Sequence, residues 1–315
     1  MSAVGGALCV LAPAKVNLGL FVGPLRADGR HELVTVMQSI SLADELTLSV
    51  APAGTPGDEV ICPGVEGLNL AAQALRAFRT ATGWDAPPQR LRIDKRVPVA
   101  AGLGGGSGDA AAAVRLAAAA SGLGDDALLS SLATELGADV PAQIRPGRWL
   151  ATGAGEHLTP LVDPPPFGLV VLPVAAALST AQVYAQADRL GDPRAVAELE
   201  HRRHELTGAL ALGAPLPPAH LLHNDLRDAA VHLCPEVGQA LRAVRDAGAD
   251  AAMVCGSGPT VVGLFARANA SGRVQRALAA LADRRPEAIS AEPVSNAFAA
   301  VRDCSVRHNG LSEER

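Results

Sequence analysis

Two periodicities divide the chain. Apolar and polar residues alternate through 7–11 and 12–22, resume after the turn-rich stretch 23–31 across 32–50 with a break at Asp44-Glu45, and recur over 90–97, the period of half-buried strands. Helical spacing or an unbroken run of helix formers marks 69–82, ended by Gly83, then the alanine-rich 110–120, and 127–136, closed by Gly137. Short strands are predicted at 148–153, 156–161 and 167–172, with the proline run Pro164-Pro165-Pro166 before the last marking a domain boundary. Helices are predicted at 180–190 and 195–212. Helix 237–247, strands 251–255 and 261–266, helix 273–284 and strand 297–301 then form an α-β-β-α-β run. These elements predict an α+β protein of two domains, 1–163 and 164–302, with 303–315 a polar, frayed tail.

Composition narrows the classes without choosing among them. At 315 residues and 49% hydrophobic content the chain can bury two medium cores. A net charge of -5 with 27 Lys plus Arg and no dense basic stripe argues against a nucleic-acid partner. No apolar run approaches the length of a membrane span, so no membrane partner and a cytoplasmic location are expected. Five scattered cysteines lack the close pairs of a zinc site or a disulfide framework and read as reduced thiols.

The chemistry concentrates at Pro98-Val99-Ala100-Ala101-Gly102-Leu103-Gly104-Gly105-Gly106-Ser107-Gly108. The order around it is strand, glycine loop, helix. Five glycines in seven residues let an anion approach the backbone, and the helix start offers unpaired N–H groups and a positive dipole end. The dinucleotide fingerprint fails in register, and no Lys-Ser/Thr pair follows as a P-loop requires. A flexible linker capped by Asp109 is the plainer alternative, but linkers are not usually clamped between a strand and a strong helix.

For the other candidates the bland reading is locally at least as strong as the functional one. Lys15 and Asn17 share one strand face, which can direct a cation and an amide at a substrate or can be an exposed edge. His31 at a loop exit is ordinarily solvated, and Asn69 reads first as a helix cap. Asp139, followed by Pro141, is either a cap or a general base. His201 and His204 lie one helical turn apart, but with Arg202 and Arg203 between them they read as a solvated face. Residues 256–260 form a second glycine-rich turn that a hairpin alone would explain.

Three segments together resemble the GHMP small-molecule kinases: Pro13-Ala14-Lys15-Val16-Asn17-Leu18, the loop 98–108, and Gly256-Ser257-Gly258-Pro259-Thr260. Within that family, Ala27-Asp28-Gly29-Arg30-His31, Leu136-Gly137-Ala138-Asp139-Val140-Pro141, Ser179-Thr180-Ala181-Gln182-Val183-Tyr184 and Asn224-Asp225-Leu226 resemble the members acting on diphosphocytidyl methylerythritol in the non-mevalonate isoprenoid route. The resemblance implies a ribosomal-protein-S5-like N-terminal ATP-binding domain, a ferredoxin-like C-terminal substrate domain, ATP and Mg²⁺ as cofactors, and a monomer or weak homodimer. It implies Asp139 as the base and Lys15 as its partnering cation. The loop 98–108 would hold the phosphates, Asn69 and Lys95 would lie on the nucleoside side, and Ser107 is a candidate metal or phosphate ligand. Asn17, His31, Thr180 and Tyr184 would contact the substrate, His31 reading the cytosine edge and Tyr184 stacking on it. Mevalonate- or homoserine-type kinases, and a nucleotide-binding module without catalysis, are the alternatives. Two positions depart from the pattern: Arg30 stands where Tyr is frequent, and Gly108 where a second Ser is common.

Overall fold

The computed structural model describes residues 6–191 and 193–304. Two long strands, β1 (Leu8–Leu25) and β2 (His31–Val50), pair antiparallel and form the spine of the first half. The break expected at Asp44 does not end β2, because Asp44 lies fully buried within it. Then follow β3 (Glu59–Ile61), α1 (Leu70–Thr82), β4 (Gln89–Asp94), α2 (Gly105–Ser121), α3 (Asp126–Leu136), α4 (Val140–Ile144), β5 (Arg148–Gly153) and β6 (His157–Pro160). One sheet runs β11-β1-β2-β4-β3, with β5 on β2 and β6 on β5.

Across the proline run the chain continues with β7 (Gly168–Leu172), α5 (Thr180–Leu190), α6 (Val196–Leu210), α7 (Arg227–Leu233), α8 (Pro235–Asp246), β8 (Ala251–Val254), β9 (Val261–Phe265), α9 (Ala270–Ala280) and β10 (Ile289–Ala291). Its second sheet has the order β10-β7-β9-β8, all antiparallel, which is the ferredoxin-like arrangement. The α+β class is thus borne out. α7 and β10 escape the sequence reading because they are short. Residues 297–301 were expected as a strand. Instead Asn296–Ala299 is a 3₁₀ turn, and β11 (Arg302–Asp303) pairs with β1. Asp303 and Cys304, read as the start of a tail, are therefore held on the first sheet, and 305–315 lie outside the described residues.

Three large apolar clusters hold these layers. The first is on the helix side of the first sheet, where Ala110–Ala113, Val114, Leu116 and Ala117 of α2 are fully buried against β1 and α1. Alanine has no bulk beyond Cβ, so the helix backbone can lie close to both neighbours. A second joins the two sheets and a third lies beneath α5, α7, α8 and α9. β1 reaches into the second half as well: Leu20 N donates to His223 O and Asp225 N to Leu20 O.

An irregularity in β1 aims the polar residues. Its register with β2 shifts between Pro13 and Ala14. Before the shift Val10 and Ala12 join the α1/α2 cluster, whereas after it Ala14, Val16 and Leu18 join the inter-sheet cluster. The bulge reverses which residues face which layer, turning Lys15 and Asn17 away from the inter-sheet core. Both are buried, so the exposed-edge reading of this face is wrong.

Candidate active site

The glycine loop begins as expected after β4, but α2 starts at Gly105, five residues before the alanine run. Tertiary packing on β1 overrides glycine's poor helix propensity. Gly104 is the N-cap residue at φ +68°, and a Cβ there would lie 2.9 Å from Lys15 Cγ and 3.1 Å from Cε. The missing side chain is what lets the Lys15 stem rest on the loop, whose Leu103 carbonyl also accepts from Lys15 N at 2.9 Å. The first-turn N–H groups of α2 have no intrahelical partner and remain available to an anion. Gly108 differs: its N–H donates to Gly104 O at 2.8 Å, and a Cβ would approach Pro13 O to 3.2 Å. It packs the helix on β1 and does not line the cavity.

Lys15 Nζ lies 3.3 Å from Asp139 Oδ2 and donates to Asn17 Oδ1 at 3.1 Å. Asn17 Nδ2 donates to Thr35 Oγ1 at 2.8 Å, and Thr35 in turn donates to Gly19 O at 2.6 Å. This chain of bonds fixes the ammonium beside the carboxylate. Asp139 occupies the N-cap of α4 but makes no capping hydrogen bond, so the cap reading does not account for its carboxylate. The side chain is 35% exposed and reaches the cavity.

The second glycine turn closes over the first. A Cβ on Gly102, at φ +77°, would fall 2.3 Å from Cys255 O, so the two loops meet backbone to backbone. Asn224 Nδ2 donates to Val254 O and Gly256 O at 2.9 and 2.7 Å and fixes the turn, while Ser257 Oγ lies 3.0 Å from Thr180 Oγ1. Burial pushes the Cys255 thiol up to about 12, although Lys15 opposes the shift.

A cavity of about 760 Å³ runs from Lys15, Asp139 and Gly104 to Thr180, Tyr184 and His31. His31 Nδ1 donates to Gly23 O at 2.9 Å, and its ring lies 5.3 Å from that of Tyr184. Burial, with a smaller contribution from Asp139, pushes the Tyr184 phenol up to about 12. Arg30 also lines this cavity, its guanidinium held by Asp28 at 3.0 Å. A second cavity of about 340 Å³ is lined by Cys62, Asn69, Lys95 and residues 98–107. The two share Gly102, Gly104 and Ser107, so they meet at the loop.

The N-terminal and C-terminal models of the GHMP kinases match residues 69–147 and 189–283. The chain belongs to the GHMP kinase family. A 4-diphosphocytidyl-2-C-methyl-D-erythritol kinase of Nocardia farcinica is 42% identical over 305 residues, covering 94% of this chain and 97% of that protein. One of Salinispora arenicola is 41% identical, covering 93% and 95%. The crystal structure of a 4-(cytidine 5'-diphospho)-2C-methyl-D-erythritol kinase matches with a TM-score of 0.72 at 34% identity, over 90% of this chain and 98% of that one. A homoserine kinase from Cytophaga hutchinsonii matches with a TM-score of 0.71 at 16% identity, over 96% and 99%, which shows the shared fold. GHMP kinases are ATP-dependent kinases.

Two residues that the resemblance puts on the nucleoside side, Asn69 and Lys95, are also bonded within the protein. Asn69 lines the smaller cavity but also caps α1 through Ala71 N at 2.9 Å. Lys95 Nζ donates to Asp44 Oδ2 at 2.5 Å and Asp109 Oδ2 at 2.8 Å. Asp109 is thus no cap; it sits inside α2, with Oδ1 buried and without a hydrogen-bond partner among the described residues. Burial, and to a lesser degree the Asp44 charge, raise its pKa to about 7 despite Lys95. Sequence reading missed Asp44, Thr35 and Asp188, which also lines the larger cavity. The break in the apolar pattern at Asp44 was the one available signal.

Proposed function

We propose that this GHMP kinase moves the γ-phosphoryl group of ATP to the 2-hydroxyl of 4-diphosphocytidyl-2-C-methyl-D-erythritol. What carries this reading is the position of the Lys15–Asp139 pair, within the cavity that extends to His31 and Tyr184 and beside the loop that both cavities share. A tertiary alcohol is a poor nucleophile. Asp139 Oδ2 takes the hydroxyl proton as the oxygen attacks phosphorus, and Lys15 Nζ, held by Asn17, offsets charge on the transferring oxygens. The loop N–H groups hold the other phosphates, Asn69 and Lys95 border the nucleoside, and Thr180, His31 and Tyr184 border the cytidyl end.

Among the described residues no three His, Cys, Asp or Glu side chains gather to hold a metal ion. Mg²⁺ ordinarily keeps several waters and takes phosphate oxygens beside one or two protein ligands. We propose Ser107 as such a ligand: it lines both cavities, and its hydroxyl has no hydrogen-bond partner among the described residues. Mg²⁺, when bound, supplies charge neutralisation on the phosphates. Residues 1–163 would carry the nucleotide and 164–302 close the substrate side, with a monomer or weak homodimer in the cytoplasm as the working form.

The test pairs turnover with nucleotide binding. Asp139→Asn should lower kcat by at least about 10²-fold while leaving the ATP dissociation constant within a few-fold of wild type. An Asn variant that turns over normally would remove the base from this account, and one that loses ATP binding in parallel would point to a structural role.

A further inference from the structure

Asp188 follows Tyr184 by four residues on α5, so the two side chains lie on one face of the helix and both reach the larger cavity. Asp188 Oδ2 lies 3.4 Å from His31 Nε2, and that is its single polar contact among the described residues. The other ring nitrogen of His31 is committed. Gly23 O can only accept, so Nδ1 carries a proton, and in the neutral ring Nε2 is left as an acceptor. With the ring in that neutral form, the cavity presents the imidazole Nε2 and the Asp188 carboxylate as two acceptors 3.4 Å apart, next to the Tyr184 ring.

We propose that Asp188 determines base specificity: with His31 Nε2 it accepts the two hydrogens of the exocyclic amine of cytosine. The inference rests on the cytidyl reading of the substrate. An amine at C4 satisfies both acceptors at once, one N–H to the imidazole and one to the carboxylate. Uracil differs by carrying a carbonyl oxygen at that position, which would bring a third acceptor against the other two. A site whose polar groups are left unpaired by the wrong ligand discriminates more strongly than one that loses an apolar contact. Half-exposure of Asp188, 47% for the side chain, tempers this, because water can partly replace a lost partner. A discrimination of roughly ten- to a hundredfold fits such a position.

The test measures CDP and UDP binding by calorimetry on the full chain, as wild type, Asp188→Ala and Asp188→Asn, with thermal midpoints as a check on folding. Wild type should favour CDP by roughly ten- to a hundredfold. Asp188→Ala should weaken CDP by about tenfold or more and leave UDP unchanged or slightly tighter, so that the ratio falls toward one. Asp188→Asn, which keeps one acceptor oxygen, should fall between the two. Equal weakening of CDP and UDP by Asp188→Ala would assign Asp188 to holding the His31 ring and overturn base reading, as would an unchanged ratio. A wild-type chain that binds CDP no better than UDP would overturn the cytidyl reading itself.

Discussion

The seat of Lys15 on the glycine loop can be perturbed by one methyl group. At Gly104 the added Cβ meets the lysine stem at 2.9 and 3.1 Å, and the backbone has φ +68°, which L side chains disfavour. The left-handed conformation alone costs about 1–2 kcal/mol. For a chain of this size that corresponds to a fall in Tm of roughly 2–8 °C. The lysine must also move by several tenths of an ångström, and its ammonium stands 3.3 Å from Asp139. A displacement approaching 1 Å at a reacting group can cost about 10² in rate. Gly104→Ala should therefore lower kcat by about 10- to 100-fold, beyond what its modest loss of stability explains at 25 °C. Gly106→Ala is the control. A Cβ there meets nothing within 4 Å, and the position is helical, so its Tm should be equal to wild type or slightly higher. Because Gly106 lines the nucleotide-side cavity, its KM for ATP should rise. Steady-state kinetics and thermal melts on both variants decide the matter, and a Gly104→Ala enzyme with wild-type kcat would refute the coupling of Lys15 to the loop.

Two carboxylates, Asp109 buried and Asp225 partly buried, should leave opposite pH signatures. The pKa of Asp109 is raised to about 7, so folding favours its protonated form, and stability falls as pH rises from about 4 to about 7, by at most about 1.4 kcal/mol per pH unit. Asp109→Asn mimics that form, so its Tm advantage over wild type should grow between pH 5 and 8; a constant difference would contradict the buried environment. Asp225 is held at about 2: burial opposes ionisation, but His223, Arg194 and Val22 N–H outweigh it. Its stabilisation is complete above about pH 4 and is lost as pH falls toward 2. The gap in urea midpoint between wild type and Asp225→Asn should therefore narrow from pH 6 to pH 3, and a gap that widens would be inconsistent with that network.

The glycine loop was legible because strand, glycines and helix are contiguous in sequence and local physics defines an anion cradle. The helix, two strands and helix that precede residue 285 were legible for the same reason, whereas the last strand of that run was placed too late in the chain. What could not be read was set by contacts between distant segments. Lys15 and Asn17 looked like an edge face because the bulge that turns them from the inter-sheet core toward the larger cavity is visible only in pairing with β2. Asp139 obeyed the local grammar of a cap, yet its carboxylate faces a lysine 124 positions earlier in the chain. The Asp44–Lys95–Asp109 cluster joins β2, the end of β4 and α2, and no spacing rule connects those three positions. The family resemblance placed Asp139 and Lys15 together where composition and periodicity alone had left both open.

Phosphorus NMR of the products formed by the purified chain with Mg-ATP and 4-diphosphocytidyl-2-C-methyl-D-erythritol tests the central claim most directly. The account requires a new phosphomonoester signal at the 2-position, appearing in step with ADP. If that substrate stays unmodified while mevalonate or homoserine is phosphorylated under the same conditions, the acceptor assigned to the His31–Tyr184 end of the cavity is wrong.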